Sequence, residues 1–280
     1  MVVTSRAVNG LTAWNRGAGV IASDRHGIVA AFGQKAVVSA TSRLTAFASL
    51  SERDYELLAQ LASGRRSVGK GEVICHEGDK LDGLFLLIQG WVASSITFAD
   101  GSEQLLDVHL PGDFLGTPDL AVSSRLQSIV ALTPVELVVV PQQMVGLLFE
   151  RSPRLAAILF LVSQEERVRL MDRLASVGAT DAVPRLASLL LHIHSRLTQS
   201  EPSTGDSFTL PLSQMQVASL VGLSQAHLNR TLQTLRRSAA LTWTRQSVTI
   251  LDRSALQEMS GLPQRSLDRN ANWLPSRDAK

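Results

Sequence analysis

Leu212 to Leu235 reads LSQMQVASLVGLSQAHLNRTLQTL, and its punctuation predicts two short helices joined at a sharp turn. Ser213 with Gln216 three residues on makes a capping-box pair, each side chain able to reach the other's backbone N–H. Met215, Val217, Leu220 and Val221 supply a buried side, and Ala218 lets a second helix approach closely. Gly222 then breaks the first helix and Ser224 caps the second. In that second helix Leu228, Thr231, Leu232 and Leu235 recur at helical spacing, which turns Gln225, Ala226, Asn229 and Arg230 outward near its N-terminal end. Arginine can give two donors to a guanine edge, glutamine and asparagine can pair with adenine, and a helix N-terminus favours phosphate. His227 suits a phosphate or a base. A plain pair of antiparallel helices would show the same leucines. Against it, Ser207 to Leu251 holds four arginines, Arg230, Arg236, Arg237 and Arg245, and no acid.

Moving outward, Leu241–Thr244 and Ser247–Leu251 read as two short strands around Arg245-Gln246, a basic-tipped wing placed to follow a phosphate backbone. Arg236 and Arg237, at the end of the second helix, are expected to position the same backbone. On the N-terminal side, Thr198 to Ser207 reads as a polar loop and Thr180 to Leu197 as an amphipathic helix.

Pro153 opens a longer helix running to about Val177, since proline suits a first turn where its missing N–H has no partner. Leu155, Leu159, Val162, Leu170, Leu174 and Val177 mark one stripe, interrupted at Gln164 to Arg167, that could seat the same helix of a second copy. An ordinary core helix would carry the same leucines. Gln142 to Glu150 forms a short helix before it.

From Ser67 to Pro141 the period changes to short apolar runs: Glu72–His76, Leu84–Ile88, Trp91–Phe98, Gln104–Leu110, Gln127–Leu132 and Val135–Val140. Turn residues such as Gly78-Asp79, Asp100-Gly101 and Pro111-Gly112-Asp113 separate them, the pattern of a small antiparallel barrel or jelly roll. A helix with Tyr55, Leu58 and Leu61 on one face precedes this region. Residues 1–44 show no sustained period and read as an extension to which no role is assigned.

Composition sets limits. The chain has 280 residues, 45% hydrophobic and 19% charged, a foldable globular balance with room for two domains. Its net charge of +2 conceals an asymmetry: Glu72 to Glu150 holds eleven acids against Lys80 and Arg125, while Ser207 to Leu251 has arginines and no acid. An anionic partner is therefore expected for the C-terminal part alone. One cysteine, Cys75, precludes an internal disulfide or a multi-thiolate cluster. The N-terminus lacks the pattern of a secretory signal, and the longest uncharged apolar-looking run of the sensor region, Gly83–Ala99, falls short of the roughly 20 apolar residues of a spanning helix. A cytoplasmic protein with no membrane contact is expected. His76 and His109 are the sole histidines of the β region and make no cluster with carboxylates, so no enzyme is expected; His192 and His194 lie on different helix faces, so neither a metal nor any other cofactor is expected.

On GEVICHEGD (Gly71–Asp79), LFLLIQGWV (Leu84–Val92), LPGDFLG (Leu110–Gly116) and VASLVGLSQAHLNRTLQTLRR (Val217–Arg237), the chain from about 67 to 255 resembles the Crp-Fnr family of bacterial regulators. The resemblance implies an α+β protein: an N-terminal antiparallel β-roll or jelly roll like a cyclic-nucleotide-binding domain, a long dimerisation helix, and a C-terminal winged helix-turn-helix. It divides the chain into 1–44 (extension), 45–150 (sensor), 151–179 (dimerisation helix), 180–255 (DNA-binding domain) and 256–280 (tail). It implies a homodimeric transcription regulator that binds a pseudo-palindromic site in double-stranded DNA, with RNA polymerase as a further partner if it activates. Ser224, Gln225, Ala226, His227, Asn229, Arg230, Arg236, Arg237 and Arg245 would contact DNA. Many relatives carry a glutamate where Ala226 stands, so their target sequences do not transfer.

The same resemblance puts a small-molecule effector pocket at Gly112, Phe114, Gly116, Thr117, Arg125, Gln127 and Ser128. Cyclic-nucleotide binders have a glutamate where Thr117 stands and an Arg-Ser pair near Gln127-Ser128. Losing both charges removes the strong hydrogen bonds that would fix that ligand, which leaves Arg125 as an alternative anion contact. Cys75 cannot hold an iron-sulfur cluster by itself.

Overall fold

The computed structural model describes residues 34–61, 64–179, 181–201, 204–261, 263 and 265–276. In chain order these form α1 (Gln34–Phe47), α2 (Glu52–Leu61), β1 (Gly64–Val68), β2 (Val73–Cys75), β3 (Gly83–Gln89), β4 (Val92–Thr97), β5 (Glu103–His109), β6 (Phe114–Leu115), a 3-10 turn (Thr117–Ala121), β7 (Ser128–Ala131) and β8 (Val135–Pro141). The helical half follows: α3 (Gln142–Arg151), α4 (Pro153–Ala179), α5 (Ala182–Ser200), β9 (Ser207–Thr209), α6 (Gln214–Leu220), α7 (Gln225–Arg237), β10 (Leu241–Thr244), β11 (Ser247–Ile250) and α8 (Arg253–Ser260).

Two antiparallel four-stranded sheets, ordered β1-β8-β3-β6 and β2-β7-β4-β5, face each other as a β-roll. Their inner faces bury Phe85, Leu87, Leu115, Ile129, Ala131 and Leu137. β3 is buried along both faces, because Leu84, Leu86 and Ile88 meet the helices α1 to α4 on the outside; that is why it reads as an unbroken apolar run and not as an alternating one. The sequence pattern missed β1, whose GRRSV is mostly exposed, and the two-residue β6.

The extension does not end at residue 44. α1 spans 34–47, and Ala40, Leu44 and Phe47 pack with Leu155, Ile158 and Val162 of α4 in one core. Residues 1–33 and Thr180 lie outside the described residues. Residues 265–275, within the stretch expected as a tail, fold back on the same helices. Arg265 makes a two-pronged ion pair with Asp172 of α4 at 3.0 and 2.7 Å, Arg154 donates to the Pro275 carbonyl, and the Asn270 N–H donates to the Phe47 carbonyl at 2.7 Å.

The α4 stripe divides. Leu155 and Val162 are core residues, whereas Leu170, Leu174 and Val177 stand exposed. The expected loop before the helix-turn-helix is shorter than its polar sequence suggests. α5 continues to Ser200, and Ser207 opens a third strand of the wing, giving a sheet ordered β10-β11-β9.

The two halves touch. α6 covers the edge strand β5: Gln104 Nε2 donates to the Ser219 carbonyl at 2.8 Å, and the Leu105 N–H donates to Ser219 Oγ at 3.2 Å. The Arg173 guanidinium of α4 donates to the carbonyls of Leu106 in β5 and Leu220 in α6, stapling all three elements. An edge strand's unpaired backbone groups are thus satisfied within the fold.

Candidate nucleic-acid interface

The helix-turn-helix forms as its caps dictate. Ser213 Oγ accepts from the Gln216 N–H at 3.2 Å while Gln216 Oε1 accepts from the Ser213 N–H at 2.8 Å, completing the capping box. Gly222 takes the left-handed conformation at φ +65, which a residue with a side chain adopts only at a cost. Ser224 Oγ then accepts from the His227 N–H at 3.3 Å, capping α7.

Leu228, Leu232 and Leu235 of α7 are buried with Val217 and Leu220 of α6, Leu186 and Leu190 of α5, and Trp243 and Val248 of the wing. Three-sided packing holds α7 against a rigid base. Its free side presents Ser224, Gln225, Ala226, His227, Asn229 and Arg230, all exposed. The guanidinium groups of Arg230, Arg237 and Arg245 have no protein partner among the described residues, so their donors remain available. Arg236 differs: its guanidinium donates to the Trp243 carbonyl and fastens the end of α7 to β10. Its expected role as a backbone contact is thereby set against a structural one.

The wing turns in two residues. Thr244 pairs with Ser247, leaving Arg245-Gln246 at the tip, with Arg245 left-handed at φ +55 and its carbonyl accepting from Trp243 Nε1 at 2.9 Å. That hydrogen bond holds a basic residue at the tip of a tight hairpin in a conformation unusual for a residue with a side chain.

The residues expected to form an effector pocket have different surroundings. Arg125 is buried; its guanidinium donates to Asp119 at 3.3 Å and Asp82 at 3.0 Å and lies 5.0 Å from the centroid of the Phe85 ring. As an alternative anion contact it is already committed to two carboxylates. A side chain at Gly116, φ +83, would strike Arg125 Nη1 at 2.5 Å, so glycine there makes room for the ion pair. Gly112 is a turn residue whose N–H donates to the Leu87 carbonyl, Gln127 is half-buried, and Ser128 Oγ accepts from the Glu77 N–H at 3.0 Å. Phe114 and Thr117 face elsewhere. They line an apolar cavity of about 170 Å³ under α3 and α4, together with Leu84, Leu148, Leu159 and Glu166. Cys75 is buried and burial pushes its thiol up to about 11. No group of His, Cys, Asp and Glu able to hold a metal occurs among the described residues.

A buried charge cluster escaped the sequence reading. Asp113, in the turn before β6, accepts from Arg43 of α1 and Arg196 of α5 on the same oxygen, both at 2.7 Å, and from the Leu110 N–H on the other at 2.8 Å. Arg43 also donates to Glu165 at 2.6 Å and to Glu166 of α4. Arg169 of α4 hydrogen-bonds the His192 ring of α5. Burial by itself would raise the Asp113 carboxyl, but Arg196 and Arg43 outweigh it and hold it well below the usual carboxylate range. Burial and the adjacent Arg169 push the His192 imidazole well below its ordinary value.

Two known domain families match the chain. The cyclic nucleotide-binding domain family matches residues 65–152, and the Crp-like helix-turn-helix domain family matches residues 184–259. The chain belongs to the Crp-Fnr family of transcription regulators. It is 23% identical to the fumarate and nitrate reduction regulatory protein of Vibrio cholerae over 78% of this chain and 87% of that one. To the transcriptional regulatory protein btr of Bordetella pertussis it is 24% identical, over 74% and 86%. Among solved structures, FixK2 from Bradyrhizobium japonicum superposes with a TM-score of 0.64 at 21% identity, covering 72% of this chain and 98% of that chain. A transcriptional regulator of the Crp/Fnr family from Thermus thermophilus gives 0.56 at 19%, covering 71% and 99%. These confirm the expected fold: a β-roll, a long helix and a C-terminal helix-turn-helix. Relatives in the Crp-Fnr family are transcription regulators, and no described helix is long and apolar enough to cross a membrane.

Proposed function

We propose that the chain is a cytoplasmic homodimer that reads a pseudo-palindromic DNA site by placing α7 in the major groove, under control of its β-roll. The observation that carries this is the free face of α7: Gln225, Asn229 and Arg230 exposed together at a capped helix N-terminus, on a unit with no acid among the four arginines' neighbours in the wing and recognition helix. Arg230 would pair with a guanine, Gln225 and Asn229 with base edges, and Ser224, His227, Arg237 and Arg245 with the sugar-phosphate backbone.

Dimerisation follows from α4. Leu170, Leu174 and Val177 are 65%, 73% and 49% exposed and recur at spacings of four and three, a seam for the same helix of a second copy. Such a seam brings two recognition helices to bear on half-sites about 34 Å apart. The sensor half is read as taking no cyclic nucleotide, because Thr117 and Gln127 carry no charge and Arg125 is already bound to Asp82 and Asp119. Contact with RNA polymerase would accompany activation.

Selection of bound sequences from random duplex DNA tests the reading. Enrichment of a two-fold symmetric site with half-sites one helical turn apart is expected; weak, salt-sensitive binding with no enriched sequence would reduce the basic face to a phosphate binder.

A further inference from the structure

The cluster around Asp113 joins four parts of the chain that are far apart in sequence: α1 through Arg43, the β5–β6 turn through Asp113, α4 through Glu165 and Glu166, and the DNA-binding unit through Arg196 on α5. Both Asp113 oxygens are filled, one by the turn's own Leu110 N–H and the other by the two guanidiniums. The turn therefore cannot move without carrying both arginines or breaking buried, charge-assisted bonds.

The DNA-binding unit is also attached elsewhere: Ser219 and Leu220 of α6 lie on β5 and under Arg173, Arg169 and the Ser176 and Val177 carbonyls of α4 bond His192 and Arg185 of α5, and Ala93, Val108 and Leu132 of the sensor share its core. Among these the Asp113 cluster is the attachment built on buried opposite charges reaching from the β5–β6 turn. The Asp113 turn leads directly into β6, Gly116 and the 3-10 turn that carries Thr117, so a change in that segment is transmitted to Arg196 through a single residue.

We propose that Asp113 is a positioning residue for DNA binding: clamped by Arg43 from the N-terminal extension and gripping Arg196, it sets the angle of the DNA-binding unit against the sensor and α4. On this assignment α1 is a working part of the switch. Arg43 keeps the Asp113 carboxylate fixed to α4, and loss of either residue loosens the angle of the DNA-binding unit about its remaining contacts with β5 and α4. The proposal rests on the reading of α7 as the recognition helix, but its geometry can be measured without DNA.

The test uses the full chain carrying Asp100→Cys, in the exposed β4–β5 loop, and Gln233→Cys, on the exposed side of α7, each bearing a spin label. Buried Cys75 stays native and unlabelled, and excess unlabelled chain removes distances between copies. Wild type is expected to give one narrow distance distribution. Asp113→Asn and Arg43→Met are expected to broaden it in the folded fraction and to lower affinity for the selected site about tenfold, with Arg43→Lys restoring part of both. Glu165→Gln with Glu166→Gln, at partly exposed positions, removes both carboxylate partners of Arg43 on α4 together with the Glu166–Arg169 pair, leaves the Arg43 bond to the Val162 carbonyl, and should broaden the distribution even if the other variants fail to fold. An unchanged distribution in the double variant, or an unchanged distribution and affinity in folded Asp113→Asn, would overturn the assignment. A changed distribution in a chain that selects no DNA sequence would keep the positioning role and remove the reading of α7.

Discussion

In the sensor half Arg125 is sealed in the protein against two acids and an aromatic ring, whereas in the C-terminal half Arg230 stands exposed with no protein partner among the described residues. The same side chain does opposite work. Arg125 satisfies the buried Asp119 and reaches the more exposed Asp82, so its donors serve stability. Arg230 keeps its donors for something outside the chain. The comparison extends to their surroundings: eleven acids lie between Glu72 and Glu150, whereas the recognition helix and the wing that follows it hold none.

Substitution at Arg125 is the most severe way to test that contrast. Arg125→Ala should cost about 3–5 kcal/mol of folding stability by leaving Asp119 buried without a cation, measured by urea denaturation; Asp119→Asn in the same chain should recover part of the loss. If Arg125→Ala is as stable as wild type, the ion pair does not support the sensor. Arg230→Ala should reverse the pattern, weakening specific DNA binding by about 1–3 kcal/mol while the melting temperature stays put. A drop in melting temperature instead would place Arg230 among the structural arginines.

Acid should affect the buried side first. His192 has a folded-state value depressed by burial and by Arg169, so the unfolded chain takes up the extra proton. That contribution to stability is present above the unfolded value of about 6.5 and is lost as the pH falls below it, at up to about 1.4 kcal/mol per pH unit. His192→Gln should flatten the slope of melting temperature against pH between about 6.5 and 5; an unaltered slope would assign acid sensitivity to other groups. Ser224→Ala removes the cap of α7 and should cost about 1 kcal/mol, read by thermal melting. The smallest change is expected for Arg245→Ala at the wing tip: a nearly uniform loss across DNA sequences, with the salt slope reduced by about one. A sequence-dependent loss would make Arg245 a base reader.

How much was legible depended on the range of the interactions. The capping box, Gly222 and Ser224 act within four residues, and α6, α7 and the two wing strands appear where those residues put them. β1 was missed because GRRSV pairs with the distant strand β8, from Gly64 with Val139 to Val68 with Val135, and has little apolar signal of its own. Residues 1–44 show no sustained period and carry no assigned role from sequence, yet Arg43 bonds across 70 and more residues.

The sequence by itself therefore determined the recognition unit and the order of roll, long helix and helix-turn-helix, because caps, turns and apolar periods are local and repeat along the chain. Only the tertiary structure decided three things: that Arg125 is consumed by Asp82 and Asp119, that the α4 stripe is core at Leu155 and exposed at Leu174, and that α1 and the C-terminal end pack onto α4. Each turns on which distant charge or face arrives opposite a residue, and that pairing leaves no period in the chain.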